Sequence, residues 1–377
     1  RPWSRKLLAV IAVVLVLIVV GGGAAYVVFS TPPSPPAKVL VSGTTDDERT
    51  FDPADAYDYF SINIIQNTMA MLLTYGPGTS NLVPSILSEV PTTANGGISA
   101  DALNYTLRIR PGVKFEDGSA INATVVKYSL ERSMKLGGEP SFLLDAIGSV
   151  TKVDDLTVKV TLSRKWSPFV SLLAFSNTAP VHLSLTDDRF YPNLVISSGP
   201  YRLAKYIPHQ RYELERNPEY FGTPAKVPKV VIVRYTTAVD LRLAIQTGEI
   251  DVAYRSLLPQ DFNTLKNDAN LRTLQGDSPF IRYVVFNVCD AAGVASGWCP
   301  RETPFPDVRI RRALTYAMNR TDVIQSSYPG VVSPLYSLVP EGMPFHTDAF
   351  KTRYGESQNI AQARTLLTAA GFSETNK

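Results

Sequence analysis

Tyr105-Thr106-Leu107-Arg108-Ile109-Arg110-Pro111-Gly112-Val113-Lys114-Phe115-Glu116-Asp117-Gly118 is the stretch on which the fold turns. Leu103, Tyr105, Leu107 and Ile109 alternate with polar residues, the period of a strand with one buried face. Pro111-Gly112 closes that strand in a turn. Just beyond it, Asn122 stands where a helix cap belongs, ahead of a helix over Ala123–Lys135. Val150–Leu162 then reads as a hairpin, with Val158, Val160 and Leu162 alternating after an Asp154-Asp155 turn.

The same mixture extends outward. Upstream, Val39-Leu40-Val41 is a short strand that runs into a polar loop over 42–57. Ile62, Ile65, Met69, Leu72 and Leu73 then share one face of a helix predicted over Phe60–Leu73. Downstream, Trp166–Phe175 reads as a short helix. Tyr201–Tyr206 and Arg211–Arg216 form a hairpin, and Lys229–Tyr235 is a strand. A helix over Asp240–Gln246 ends near Gly248, and strands are expected over Ile250–Tyr254 and Arg282–Val288. Helices over Asp307–Asn319 and Ile360–Ala370 follow, the last with Gly371 at its stop position. Interleaved strands, hairpins and helices describe a mixed α/β chain with several sheets.

At 377 residues the chain is long enough for more than one core, and 45% hydrophobic with 19% charged residues is the composition of a folded protein. Arg1, Arg5 and Lys6 account for the whole net charge of +3, so the remainder is balanced. Nucleic acid is therefore not an expected partner, since phosphate binding needs a basic surplus. The uncharged run from Leu7 to Phe29 follows those three cations. It has the length and polarity of a membrane-spanning anchor with its N-terminus inside, or else of a signal peptide removed after secretion. A stiff Pro-rich spacer over 31–37 follows residues 1–30. The absent initiating Met implies a trimmed or partial chain. Outside the cell, Cys289 and Cys299 would pair as a disulfide, the reading adopted here; two reduced thiols are the alternative. No second pair of ligands at zinc spacing accompanies them. Asn104-Tyr-Thr, Asn122-Ala-Thr and Asn319-Arg-Thr match the glycosylation triplet, a weak pattern.

Several segments resemble the family 5 extracellular solute-binding proteins of oligopeptide, dipeptide and nickel importers. These are Thr50-Phe51-Asp52-Pro53-Ala54, Val83-Pro84-Ser85-Ile86-Leu87 and the 105–118 stretch with the following Asn122–Arg132 helix. Ser198-Gly199-Pro200-Tyr201, Arg216-Asn217-Pro218-Glu219-Tyr220-Phe221, Gln246–Asp251, Phe286-Asn287, Asp307–Leu314 and the 361–372 stretch follow in family order. The resemblance runs over residues 38 to 377. It implies the type II periplasmic-binding-protein fold: two lobes, with a subdomain inserted in the first. Residues 38–75 and 197–280 would build lobe 1, 76–196 the inserted subdomain, and 281–377 the start of lobe 2. Relatives continue further, so a truncated C-terminus is expected. Relatives often carry a lipid-modified Cys after the signal, and this chain has none before Cys289.

The resemblance also implies a function. A binding protein of this kind captures a small solute, a short peptide first of all, by lobe closure. It delivers the solute to an ABC permease whose ATPase subunits are separate chains; this chain has no phosphate-binding loop of its own. It would act at the outer face of the membrane, held by the N-terminal helix. Thr44, Thr45 and Asp46, in the loop after the first strand, suit a peptide main chain or an amine, with a solvated turn as the plain alternative. Tyr75, Ser198 and Asn287 fall near the expected chain crossings as hinge, packing or ligand residues. No cofactor is expected. A secreted hydrolase would need a nucleophile and base or a metal. Yet His182, His209 and His346 are isolated in sequence, and neither Gly-x-Ser-x-Gly nor His-Glu-x-x-His occurs. A membrane-anchored sensor ectodomain of the same fold is the other alternative.

Overall fold

The computed structural model describes residues 39–372 except 277, 279 and 344. The apolar run over 7–29 and the spacer over 31–37 lie outside the described residues. Among those described, no helix is long and apolar enough to cross a membrane. The chain divides into two compact units, the first ending at Ser256 and the second beginning at Leu257. That division falls inside the 197–280 stretch expected as one piece of lobe 1.

The first unit begins with β1 (Val39–Thr44), α1 (Tyr59–Thr68), β2 (Leu73–Tyr75) and β3 (Leu82–Pro84). β4 (Asn104–Arg108), α2 (Ala123–Leu136), β5 (Ile147–Lys152), β6 (Thr157–Leu162) and the single turn α3 (Phe169–Leu172) follow. β7 (Tyr201–Ile207), β8 (Arg211–Arg216), β9 (Lys229–Arg234), α4 (Ala238–Thr247) and β10 (Val252–Ala253) complete it. They make three sheets: a five-stranded one in the order β10-β1-β9-β8-β7, the ribbon β2-β3, and β4-β6-β5.

The period-2 pattern of the 105–118 stretch is realised in β4, where Tyr105 and Leu107 are buried and pair with Val160 and Val158 of β6. Asn122 caps α2 by accepting from the Thr124 and Val125 amides, and left-handed Gly137 ends it. Val125, Val126 and Leu130 on the inner face of α2 join the strand residues in one apolar cluster. The glycosylation triplets are used structurally. Asn104 accepts from the Thr161 hydroxyl, and Asn122 and Asn319 are helix caps.

The buried core also carries a charge pair. Arg132 of α2 grips both oxygens of Asp52 at 2.8 and 2.7 Å. It also donates to the Thr186 and Arg189 carbonyls. Asp52 in turn accepts from the Ala54 and Tyr191 amides. The Phe-Asp-Pro segment and the Ser-Leu-Glu-Arg run within α2, read separately in the sequence, are thus two halves of one clamp.

α1 corrects the helix predicted over 60–73. It stops at Thr68, whose carbonyl is taken by the Ser198 and Gly199 amides at 3.0 and 2.8 Å. The Ala70 amide turns to the Ser198 hydroxyl at 3.0 Å, and Leu73 starts β2. A competing set of backbone partners from a distant segment wins over helical periodicity. Gly199 is needed there, because a Cβ would sit 2.8 Å from the Thr68 carbonyl carbon and 2.9 Å from the Met69 nitrogen. Backbone cannot yield as a side chain does, so Gly199→Ala is expected to cost about 1–3 kcal/mol in urea denaturation. An unchanged midpoint would contradict the contact. The helix predicted over Trp166–Phe175 is shortened to α3, with Pro168 at its start.

The second unit contains α5 (Pro259–Leu265), α6 (Ala291–Ala295), α7 (Val308–Ala317), α8 (Arg320–Ser327), α9 (Ala349–Tyr354) and α10 (Ile360–Ala369). Asp307 caps α7, whose Ile310 and Ala313 are buried, as is Ala363 of α10. The strand expected over Arg282–Val288 is absent. The segment has no ladder partner among the described strands, and Val284 and Val285 are exposed. β-Branched and aromatic residues make a strand only where another backbone is there to pair with.

Candidate functional site

β1, β9 and β10 are mutually parallel, with Gly43 of β1 in register with Val233 and Ala253. Their carboxyl ends therefore meet on one side of the sheet, the side on which parallel α/β sheets carry ligands. Three segments converge there: 44–48 after β1, 234–235 after β9 and 254–256 after β10. The β7–β8 turn, with His209, arrives at the same end because β8 runs antiparallel to β9.

Of the six residues expected to bind ligand, the structure brings three together here. Thr44 is buried and its hydroxyl accepts from the Asp46 amide at 3.0 Å, while Thr45 and Asp46 are partly exposed. Asp46 receives the Ser256 hydroxyl at 3.3 Å and faces the Arg255 guanidinium at 3.6 Å. Arg255 lies 3.7 Å over the Tyr59 ring, a cation–π contact. The Tyr59 and Tyr254 hydroxyls share a short hydrogen bond. Partial burial and then that bond push the Tyr254 phenol up to about 12, so it is neutral at pH 7. Arg255 and Ser256 both hold left-handed backbone, at φ 58° and 61°, and Asp46 ties the two together. Consecutive non-glycine residues in that region carry strain of a kind often found at binding loops.

The other three lie apart. Tyr75 is half exposed in the β2–β3 ribbon, on a different sheet. Ser198 is fully buried, with its hydroxyl committed to the end of α1. Asn287 belongs to the second unit, where its carbonyl accepts from the Thr303 hydroxyl. In that unit Cys289 and Cys299 are joined through their sulfurs with Cα atoms 6.3 Å apart, within the span of a disulfide.

Tyr59, Tyr254, Arg255 and Ser256 escaped the sequence. Arg255 and Ser256 reach Asp46 because β10 lies beside β1, and Tyr59, at the start of α1, joins them through Tyr254 and Arg255; no local pattern announces either approach.

Behind Asp46 the loop is held firmly. Glu48 is buried, and the Tyr206 and Tyr212 hydroxyls and the His209 amide all donate to it. Burial raises its pKa, but the hydrogen bonds donated by Tyr206 and Tyr212 outweigh that and hold it at about 2. Asp47 contacts His209 Nδ1 at 3.0 Å and Arg234 at 3.3 Å. The hydrogen bond to Asp47, with the Glu48 charge nearby, raises the His209 pKa.

Residues 82–377 match the bacterial extracellular solute-binding proteins, family 5 middle. The glutathione-binding protein GsiB of Pectobacterium atrosepticum is 30% identical over 335 residues, 86% of this chain and 59% of that protein. GsiB of Escherichia coli is 27% identical over 334 residues, 86% and 59% of the two chains. This chain therefore spans about 60% of the length of these relatives. Among solved structures, the ABC transporter-associated periplasmic binding protein DppA from Helicobacter pylori, in complex with the peptide STSA, superposes with a TM-score of 0.70. It is 21% identical and covers 89% of this chain and 66% of that one. The substrate-binding protein CtaP of Listeria monocytogenes also has a TM-score of 0.70, at 25% identity and the same coverages. The fold is thus that of the type II periplasmic binding proteins.

Proposed function

This chain belongs to the bacterial extracellular solute-binding proteins of family 5, and on that premise we propose that it captures a short peptide outside the cytoplasm and delivers it to an ABC permease. Members of the family are binding proteins rather than enzymes. The observation that carries the peptide reading is the solute named for the relatives: glutathione is itself a tripeptide. The bound peptide of one structural neighbour agrees with it.

The loop face at the carboxyl end of the five-stranded sheet is the proposed contact surface. Thr45 and Asp46 suit an amine or main-chain amides, while Arg255, backed by Tyr59, suits a carboxylate. Capture proceeds by closure of two lobes over the solute. We assign 38–75 and 197–280 to the first lobe, 76–196 to the inserted subdomain and 281–377 to the second. The five-stranded sheet supports this assignment by drawing its strands only from residues 39–44 and 201–253. The uncharged run over 7–29 would tether the protein to the membrane, or be removed on secretion.

Titration calorimetry with glutathione and unrelated tripeptides tests this. Saturable binding is expected. Asp46→Asn and Arg255→Ala should each weaken it about tenfold, the worth of one charge-assisted contact. Binding that is unaltered in both variants would remove this face from the site.

A further inference from the structure

Beyond the solute site, and independently of it, we propose that Asp47, Glu48 and His209 hold a divalent zinc-type cation that ties the loop after β1 to the β7–β8 turn. Each residue offers one donor atom, and the three atoms lie within 4.8 Å of one another. His209 Nδ1 stands 3.0 Å from Asp47 Oδ1 and 3.5 Å from Glu48 Oε1. Neighbouring ligand atoms around tetrahedral zinc, with bonds of about 2.0–2.1 Å, are about 3.3 Å apart. The imidazole nitrogen therefore already stands at coordination-sphere separation from one oxygen of each carboxylate. One imidazole nitrogen with two carboxylate oxygens is a set that zinc accepts.

The support around the donors is that of a metal site. Glu48 is only 7% exposed; the Tyr212 hydroxyl donates to one carboxylate oxygen, and the Tyr206 hydroxyl and the His209 amide donate to the other, the one that faces the imidazole. Outer partners of this kind orient a ligating carboxylate. His209 and Asp47 are exposed, which leaves room for water as a fourth ligand. His209 holds left-handed backbone at φ 60°, a conformation that favours glycine. An imidazole nevertheless stands there, against two acids.

Two groups compete with the cation. Arg234 approaches the other oxygen of Asp47, at 3.3 Å, while Oδ1 faces His209 and also accepts from the Glu48 amide at 3.1 Å. A proton on His209 would make the cluster a plain ion pair. Binding a metal displaces that proton.

The test is zinc titration of the chelator-treated full chain, followed by calorimetry and thermal melting. His209→Gly removes the donor and suits the backbone, and Asp47→Asn removes the second donor at an exposed position. His182→Ala is the control, since His182 pairs with Asp117 elsewhere. Saturable binding at one site with a raised melting temperature is expected in the parent chain and in His182→Ala. At least about a tenfold loss of affinity is expected in His209→Gly and Asp47→Asn, both folded by circular dichroism. No saturable zinc binding, or binding of equal strength in His209→Gly, overturns the proposal and leaves the imidazolium ion pair.

Discussion

Asp52→Ala is expected to cost about 3–5 kcal/mol of folding stability. Asp52 is fully buried and Arg132 nearly so, at 0% and 1% exposure. Removing the carboxylate strands the guanidinium charge in the core and leaves the Ala54 and Tyr191 amides without their acceptor. Arg132→Met should be costly for the converse reason. The double variant should lose clearly less than the sum of the two, because an empty pair leaves no buried charge. It will not return to the parent value, since the Thr186 and Arg189 carbonyls also lose a donor. A urea-denaturation double-mutant cycle measures this. A loss below about 1 kcal/mol for Asp52→Ala would mean that water reaches the pair.

The second large effect is acid lability centred on Glu48. Its carboxyl titrates at about 2 when folded and near 4.5 when unfolded. The folded value is the lower, so the stabilisation is fully present above pH 4.5 and is lost as pH falls towards 2. A depression of that size corresponds to about 3 kcal/mol. Glu48→Gln should therefore cost about that much at pH 7 and almost nothing at pH 2, with chelator present at both. Parallel stability curves for the two proteins across that range would contradict the linkage. The effect would reach the proposed solute-contact face, because Glu48 anchors the loop that presents Thr45 and Asp46.

Much of the first unit was legible because its signals are local. Alternation wrote β4 and the β5–β6 and β7–β8 hairpins, and Asn122 and Gly248 marked helix ends through their own cap geometry. The early stop of α1 was not legible, since Ser198 and Gly199 compete for its last carbonyl from far along the chain. Thr44, Thr45 and Asp46 could be singled out as a strand-end loop. Tyr254 and Arg255 could not, because only the parallel pairing of Ser42 with Val252 sets them beside it, and Tyr59 meets them only through the tertiary placement of α1. The 282–288 segment shows the reverse: Tyr283, Val284, Val285 and Phe286 are strand-forming residues, but composition names no partner. The Asp52–Arg132 clamp was visible only as two family-like segments, and their contact is purely tertiary.

The central claim is that this chain holds a small peptide and releases it unchanged. Mass spectrometry of molecules that co-purify with the protein, read again after denaturing release, tests it most directly. One or more short peptides in near-stoichiometric amount, chemically intact, is the predicted result. A sugar or haem in their place, or a compound returned in altered form, would contradict it.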